Sequence, residues 1–328
     1  DQNAGLPGTE VFDLDLDPEG NLIVAGRGGL SRWDPDSQTW SRIGALTDDL
    51  RRASSGSDQV YCLSFQPRLL AWDGSGWTSI PLPEPWCSAV HAADDLWIGG
   101  TAVRRTDGGQ LEHAYRARRL PSGDFETRLD YSSQVFNAMG VTFGQDNSLW
   151  MGDFYGFDIS RRDISEWSHI YEVPHAENDT LTLFPGRGNV LAMATGPDGT
   201  VWAAQFAGGG VLKYDPESNR TEHLQPANSG MTGRLIVNLV THPDGALFVM
   251  HDANPQGGDP QLVDVLVDPD DWGNPDSWMT LTRDEGLGEG TVAWDVAVER
   301  PDVVWFAIQT VGLVRWDSNG LEAGPDAP

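Results

Sequence analysis

Few side chains in this chain of 328 residues have the type and spacing that chemistry demands. There is no Gly-x-Ser-x-Gly elbow, no phosphate-cradling loop, no His-Glu-x-x-His and no Gly-x-Gly-x-x-Gly after a strand, so the usual nucleophile, nucleotide and zinc-hydrolase signatures are missing. Cys62 and Cys87 are the only cysteines, which excludes a thiolate metal cluster. The pair reads either as a disulfide closing about 25 residues, worth roughly 3 kcal/mol, or as two buried thiols. His251 stands at the end of an apolar run, and the segment VPHAENDTLTLF supplies His175 beside Glu177 and Asp179. Either histidine is a candidate general base. Asp13, Asn238 and Asp295 occupy equivalent places in three alternating runs. Two carboxylates and an amide oxygen suit a hard cation such as Ca²⁺. The run DLDLDPEG imitates a calcium loop on paper, but Pro18 stands where such a loop needs Gly, and strand alternation explains it better.

Composition narrows the partners. Forty-nine acidic residues against 21 Lys+Arg leave a formal charge of −28, which excludes nucleic acid as a partner because phosphate binding needs a basic footprint. A hydrophobic share of 39% and 14 Trp are enough for a packed core. No apolar run approaches the roughly 18 residues of a membrane-spanning helix, so direct membrane insertion is not expected. The first residues, DQNAGLPGTE, carry neither an initiator Met nor a signal-peptide core, which fits a processed mature protein or a fragment of a longer one.

The elements that must position these residues come from an internal repeat. GNLIVAGRGGLSRWDPDSQTW from Gly20, DDLWIGGTAVRRTDGG from Asp94, GTVWAAQFAGGGVLKYDPESN from Gly199 and DVVWFAIQTVGLVRWDSNG from Asp302 align, and three weaker copies fill the gaps. Their anchors are Ile23, Tyr61, Trp97, Trp150, Trp202, Phe248 and Trp305. About ten residues later each copy reaches an Asp: Asp34, Asp73, Asp107, Asp163, Asp215, Asp268 and Asp317. Asp at a strand end caps the turn it opens, and Pro, Gly or Ser follows in most copies. With an alternating run before each anchor and another after each Asp, a copy reads as four short strands. Seven such copies predict an all-β, seven-bladed β-propeller with four antiparallel strands per blade. One domain spans 1–328, with blades at 11–44, 46–83, 87–117, 137–173, 189–226, 235–284 and 291–323.

Counting strands up and down puts the second-to-third and blade-to-blade connections on one face. The insertions 118–136, 174–188, 227–234, 252–260 and 284–290 all fall there, and loops on one face of a regular scaffold carry binding function. Around the pore mouth the second-to-third-strand loops offer Arg27, Asp153, Phe154, Tyr155, Gln205, Phe206, His251, Asp252 and Gln309, and the insertion 174–188 adds His175 on the same face. Directional polar groups beside flat apolar ones suit a peptide, a glycan or another small ligand.

The wording G-x-L-W-x-G followed by G-L/V-x-R/K-W/Y-D resembles the two-component-regulator propeller repeat and, more distantly, virginiamycin B lyase-like propellers. That resemblance implies an extracellular or periplasmic binding or sensing module, or one engaged by a protein partner, rather than a catalyst. An alternative is a metal-dependent lyase or lactonase with a pore-bound cation, since gluconolactonase-type propellers are similar in holding one. A third is a structural subunit of a surface assembly.

Overall fold

A computed structural model describes residues 5–6, 8, 10–56, 58–65, 68–80, 87–92, 96–100, 114–119, 125–131, 138–144, 148–153, 159–162, 170–172, 190–205, 210–233, 235–252, 262–288 and 292–317. Among them the chain forms seven antiparallel sheets of consecutive strands. Sheet one holds β1 (Val11–Leu16), β2 (Leu22–Gly26), β3 (Gly29–Asp34) and β4 (Thr39–Arg42). Sheet two holds β5 (Leu50–Ser55), β6 (Val60–Ser64), β7 (Leu69–Trp72) and β8 (Trp77–Ile80). Sheet three holds β9 (Cys87–Ala92), β10 (Leu96–Gly100), β11 (Ala114–Arg119) and β12 (Phe125–Tyr131). Sheet four holds β13 (Ala138–Phe143), β14 (Leu149–Asp153), β15 (Ile159–Arg162) and β16 (Ile170–Glu172). Sheet five holds β17 (Val190–Thr195), β18 (Val201–Gln205), β19 (Gly210–Asp215) and β20 (Arg220–Leu224). Sheet six holds β21 (Ile236–Thr241), β22 (Leu247–His251), β23 (Val263–Leu266) and β24 (Trp278–Leu281). Sheet seven shows β25 (Ala293–Arg300), β26 (Val303–Ile308) and β27 (Gly312–Asp317); the fourth strand expected at 320–323 lies outside the described residues.

The first strands pack in a cycle, β1 on β5, β5 on β9 and so on to β25, which returns to β1. Each second strand is therefore sandwiched between neighbouring sheets, and β2, β6, β18, β22 and β26 are buried along their whole length. Their anchors Ile23, Trp202, Phe248 and Trp305 are at most 1% exposed. Trp305 of sheet seven meets Trp33 and Trp40 of sheet one with ring centroids 5.0 and 5.8 Å away, and this triangle fastens the last sheet to the first. Each such aromatic pair adds about 1 kcal/mol beyond the area it buries.

Turn chemistry follows the residue types. Asp34, Asp73, Asp215 and Asp268 each accept a backbone N–H two residues on, at 2.8 to 3.2 Å. Hydrogen bonds favour the charged carboxylate: those from the Ser37 and Ser218 hydroxyls foremost, with the backbone N–H groups, hold Asp34 and Asp215 below the usual range, and the N–H groups of Ser75 and Gly76 hold Asp73 at about 2. In the first-to-second-strand turns Gly20 and Gly199 take positive φ (83° and 87°), which only glycine adopts cheaply.

Sheet three departs from the expectation. Its third and fourth strands are β11 and β12, so residues 118–119 and 125–131 of the expected insertion 118–136 are sheet, and the sheet runs to Tyr131 rather than to 117. The physical reason is the stretch Leu-Pro-Ser-Gly-Asp between two alternating runs, a stronger hairpin signal than the Thr-Asp-Gly-Gly placed there. Asp107 and most of the run read as a fourth strand lie outside the described residues. Cys62 is a free, buried thiol whose pKa burial pushes well up.

Candidate functional site

Each innermost strand is an edge strand of its sheet, with a row of backbone groups that no further strand pairs, a liability that must be managed. Each ladder between a first and a second strand breaks register near the same end, at a bulge. Just past it, Asp13, Arg52, Gly140, Ala192, Asn238 and Asp295 take equivalent positions, each paired to the penultimate residue of β2, β6, β14 and β18 or its counterpart in β22 and β26. Polar groups fill one arc of this ring and small residues the other.

The polar arc is a chain of hydrogen bonds. Asn238 Nδ2 donates to Asp295 Oδ1 (2.7 Å), and Asp295 Oδ2 accepts the N–H of Leu14 (2.7 Å). Asp13 accepts Arg52 Nη1 (2.8 Å) and the N–H of Ala53 (2.6 Å), and Asp15 accepts the N–H of Ser55 (2.7 Å). Each carboxylate thus satisfies an inner-edge N–H of the next sheet, which is the role of the alternating Asp-Leu-Asp-Leu run. Burial raises Asp13 above the ordinary carboxylate range despite Arg52, raises Asp295 well above it, and takes Asp15 to about 7.

Asp13, Asn238 and Asp295 lie at one level of the innermost strands, but the donor set does not fit Ca²⁺. Asn238 turns its NH₂ toward Asp295 while its oxygen accepts the N–H of Leu239, and Arg52 supplies the positive charge. Among the described residues no group of three His, Cys, Asp or Glu is placed to hold a metal. Arg52 escaped the sequence reading because its strand ends in Gly-Ser-Asp-Gln, without the Pro-x-Gly turn used to align the others.

On the insertion-bearing face, Arg27 is an exposed side chain ion-paired with Glu10. Gln205 closes β18 and is buried. Asp252 and Gln309 converge on Val292: Asp252 forms a β-bridge with it, and the N–H of Gln309 donates to its carbonyl (2.8 Å). The side chain of Asp153, at the end of β14, lies outside the described residues, as do Phe154, Tyr155, His175 and Phe206.

His251, at the end of β22, is 1% exposed, and its Nε2 donates to Asp264 Oδ2 at 2.8 Å. Asp264 also accepts the N–H and Oγ1 of Thr232 (both 2.7 Å) and Oγ1 of Thr280 (2.8 Å). Burial would raise the Asp264 carboxyl, yet the hydrogen bonds from His251 and Thr232 outweigh it and hold the group below its ordinary pKa. One buried carboxylate therefore ties the blade-to-blade segment at Thr232 to three strands. Nδ1 of His251 has no hydrogen-bond partner, and a Cβ at position 233 would overlap it, so Gly233 seals this atom. A proton-transfer role needs that nitrogen open.

Phe65, just past β6 on the same face, is the exposed large hydrophobic residue among those described, at 57%. Its ring meets Phe12 edge-on at 4.9 Å, its N–H donates to the carbonyl of Asp49 (3.0 Å), and the Arg27–Glu10 and Arg68–Asp48 ion pairs stand near it in sequence and connection. The sequence reading missed it because a lone Phe at a strand end looks like core.

No protein-family model matches this sequence, and none of the curated proteins does. Solved structures do. A streptogramin B lyase is 14% identical over 95% of each chain, with a TM-score of 0.69. The extracellular domain of a putative one-component system from B. thetaiotaomicron is 14% identical over 98% of this chain and 40% of that one, with a TM-score of 0.65. YCF48 bound to D1 peptide is 16% identical over 96% of each, with a TM-score of 0.62. At such identities the likeness shows the fold, a β-propeller. No helix among the described residues is long and apolar enough to cross a membrane.

Proposed function

We propose that this chain is a seven-bladed β-propeller working outside the cytoplasm as a non-catalytic binding or sensing module, with a protein or peptide partner seated on the insertion-bearing face. The observation that carries the reading is Phe65: a large apolar side chain held out on a backbone that a hydrogen bond ties to Asp49, with the Arg68–Asp48 and Arg27–Glu10 ion pairs on the connected segments. An exposed aromatic with a charged rim is how protein interfaces place their anchors. The Asp264 network supports it, because a pinned loop loses little entropy on binding. The extracellular domain and the peptide-bound protein among the similar structures agree in kind. A lyase using His251 as base has the His251–Asp264 pair in its favour, but the covered Nδ1 counts against it.

The test is affinity capture from the native extract with the wild-type chain and with Phe65→Glu. At an exposed site the charge should leave the melting temperature within about 1 °C, while the partner captured by the wild type should be lost. Equal capture by both would refute Phe65 as the anchor.

A further inference from the structure

Nδ1 of His251 is a buried nitrogen without a hydrogen-bond partner, and its surroundings decide what a proton would do there. Asp264, held ionised, can only accept, so Nε2 carries the ring hydrogen and Nδ1 of the neutral ring is a bare lone pair. Gly233 lies so close that a Cβ would overlap this atom. A neutral ring tolerates the contact. A proton added to the ring goes to Nδ1, and the resulting cation is favoured by the Asp264 carboxylate 2.8 Å away. Its new N–H, buried against the glycine, has no acceptor, which is costly. Both demands are met only if Gly233 moves aside: Nδ1–H then reaches water while Nε2–H keeps Asp264.

Segment 227–233 is fixed at its start and held by one group at its end. The N–H of Asn228 and Oγ of Ser229 donate to the Gln225 carbonyl (3.0 and 2.7 Å), and Met231 is buried in the apolar core. Among the described residues, the bonds of Thr232 and Gly233 go to Asp264: the Thr232 N–H and Oγ1 at 2.7 Å, the Gly233 N–H at 3.4 Å. Asp264, on β23, is also the ionisable group in contact with the ring. Of the other elements packed against β22, β21 carries no titratable side chain. On β25, Asp295 is turned to Leu14 and Asn238, while Glu299 and Arg300 bond Trp305 and Asp302 at the far end. Asp252, which follows the ring in the chain, bridges through its backbone to Val292.

We propose that protonation of His251 at Nδ1 releases the Thr232–Gly233 end of segment 227–233, so that this part of the insertion-bearing face is closed while the ring is neutral and opens when acid charges it. Met231 stays buried as the hinge, and the Nε2–H bond, now between charges, persists. Opening gives up the Thr232 and Gly233 bonds to Asp264, which is why the closed form prevails with a neutral ring. The stranded Nδ1–H shifts that balance toward the open form by about tenfold to a hundredfold. The device acts whatever the face binds.

Amide exchange followed by NMR from about pH 8 to about pH 5, with the His251 ring nitrogens observed in the same samples, tests this. Protection of the Thr232 N–H, corrected for the intrinsic pH dependence of exchange, should fall at least about tenfold as the ring titrates. Amides within β18 and β22 should keep theirs. His251→Gln, whose amide can still donate to Asp264 but takes no proton, should keep Thr232 protected across the range. If that variant folds poorly, the wild type suffices: the ring nitrogen shifts report its charge, and the Thr232 change must share their midpoint. A ring that stays neutral to the acid end of the range, protection at Thr232 that does not follow the ring, or the same fall in His251→Gln would each overturn the proposal. So would loss of protection throughout β18 and β22 at the same midpoint, since the event would then be general unfolding.

Discussion

Replacing Asp264 by Ala tests whether one carboxylate organises the end of sheet six. The substitution strands the Thr232 N–H, the hydroxyls of Thr232 and Thr280, and Nε2–H of His251, all in a site where Asp264 is 0% exposed. A buried donor without an acceptor costs about 1–3 kcal/mol, and hydroxyls can turn away, so four donors together should cost about 4 kcal/mol. Urea unfolding should show a lower midpoint with an unchanged slope, and the melting temperature should fall by about 10 °C. Thr232→Val removes one donor and should cost about 1 kcal/mol in the wild type but close to nothing in the Asp264→Ala background, a coupling of about 1 kcal/mol. If the two changes add to within about 0.5 kcal/mol, or if Asp264→Ala costs under about 1 kcal/mol, the carboxylate is not what holds the segment.

Two further outcomes follow from the same physics. Asp15, raised to about 7 by burial, binds a proton in the folded chain at a pH where the unfolded carboxyl, near 3.8, has lost it. Its contribution is full below about pH 4 and lost as pH rises through about 7, so thermal stability should fall from pH 5.5 to pH 8, and Asp15→Asn should flatten that slope; a slope unchanged in the variant would refute the assignment. Gly233→Ala would drive a methyl into His251 Nδ1, so it should lower stability by about 1–3 kcal/mol and shift the imidazole resonances of His251 in NMR, whereas a silent substitution would show that Gly233 does not seal that atom.

The sequence by itself determined whatever rests on bonds between near neighbours. The Asp landmarks are legible because Asp34, Asp73 and Asp215 cap backbone groups two residues away, and the anchors because the middle strand of a stacked sheet must be apolar throughout. Sheet three shows the limit of the same signal, since two rival turn sequences flank the run that becomes β11 and only its pairing with β10 and β12 selected between them. The polar arc and the Asp264 clasp were decided by tertiary structure. Asp13 meets Ala53 across 40 residues and Leu14 meets Asp295 across 281, separations at which no local pattern carries information. A carboxylate reads the same in sequence whether it binds a cation or caps a neighbour's edge; only the arrival of Arg52 and the backbone N–H groups of the next sheet decides which.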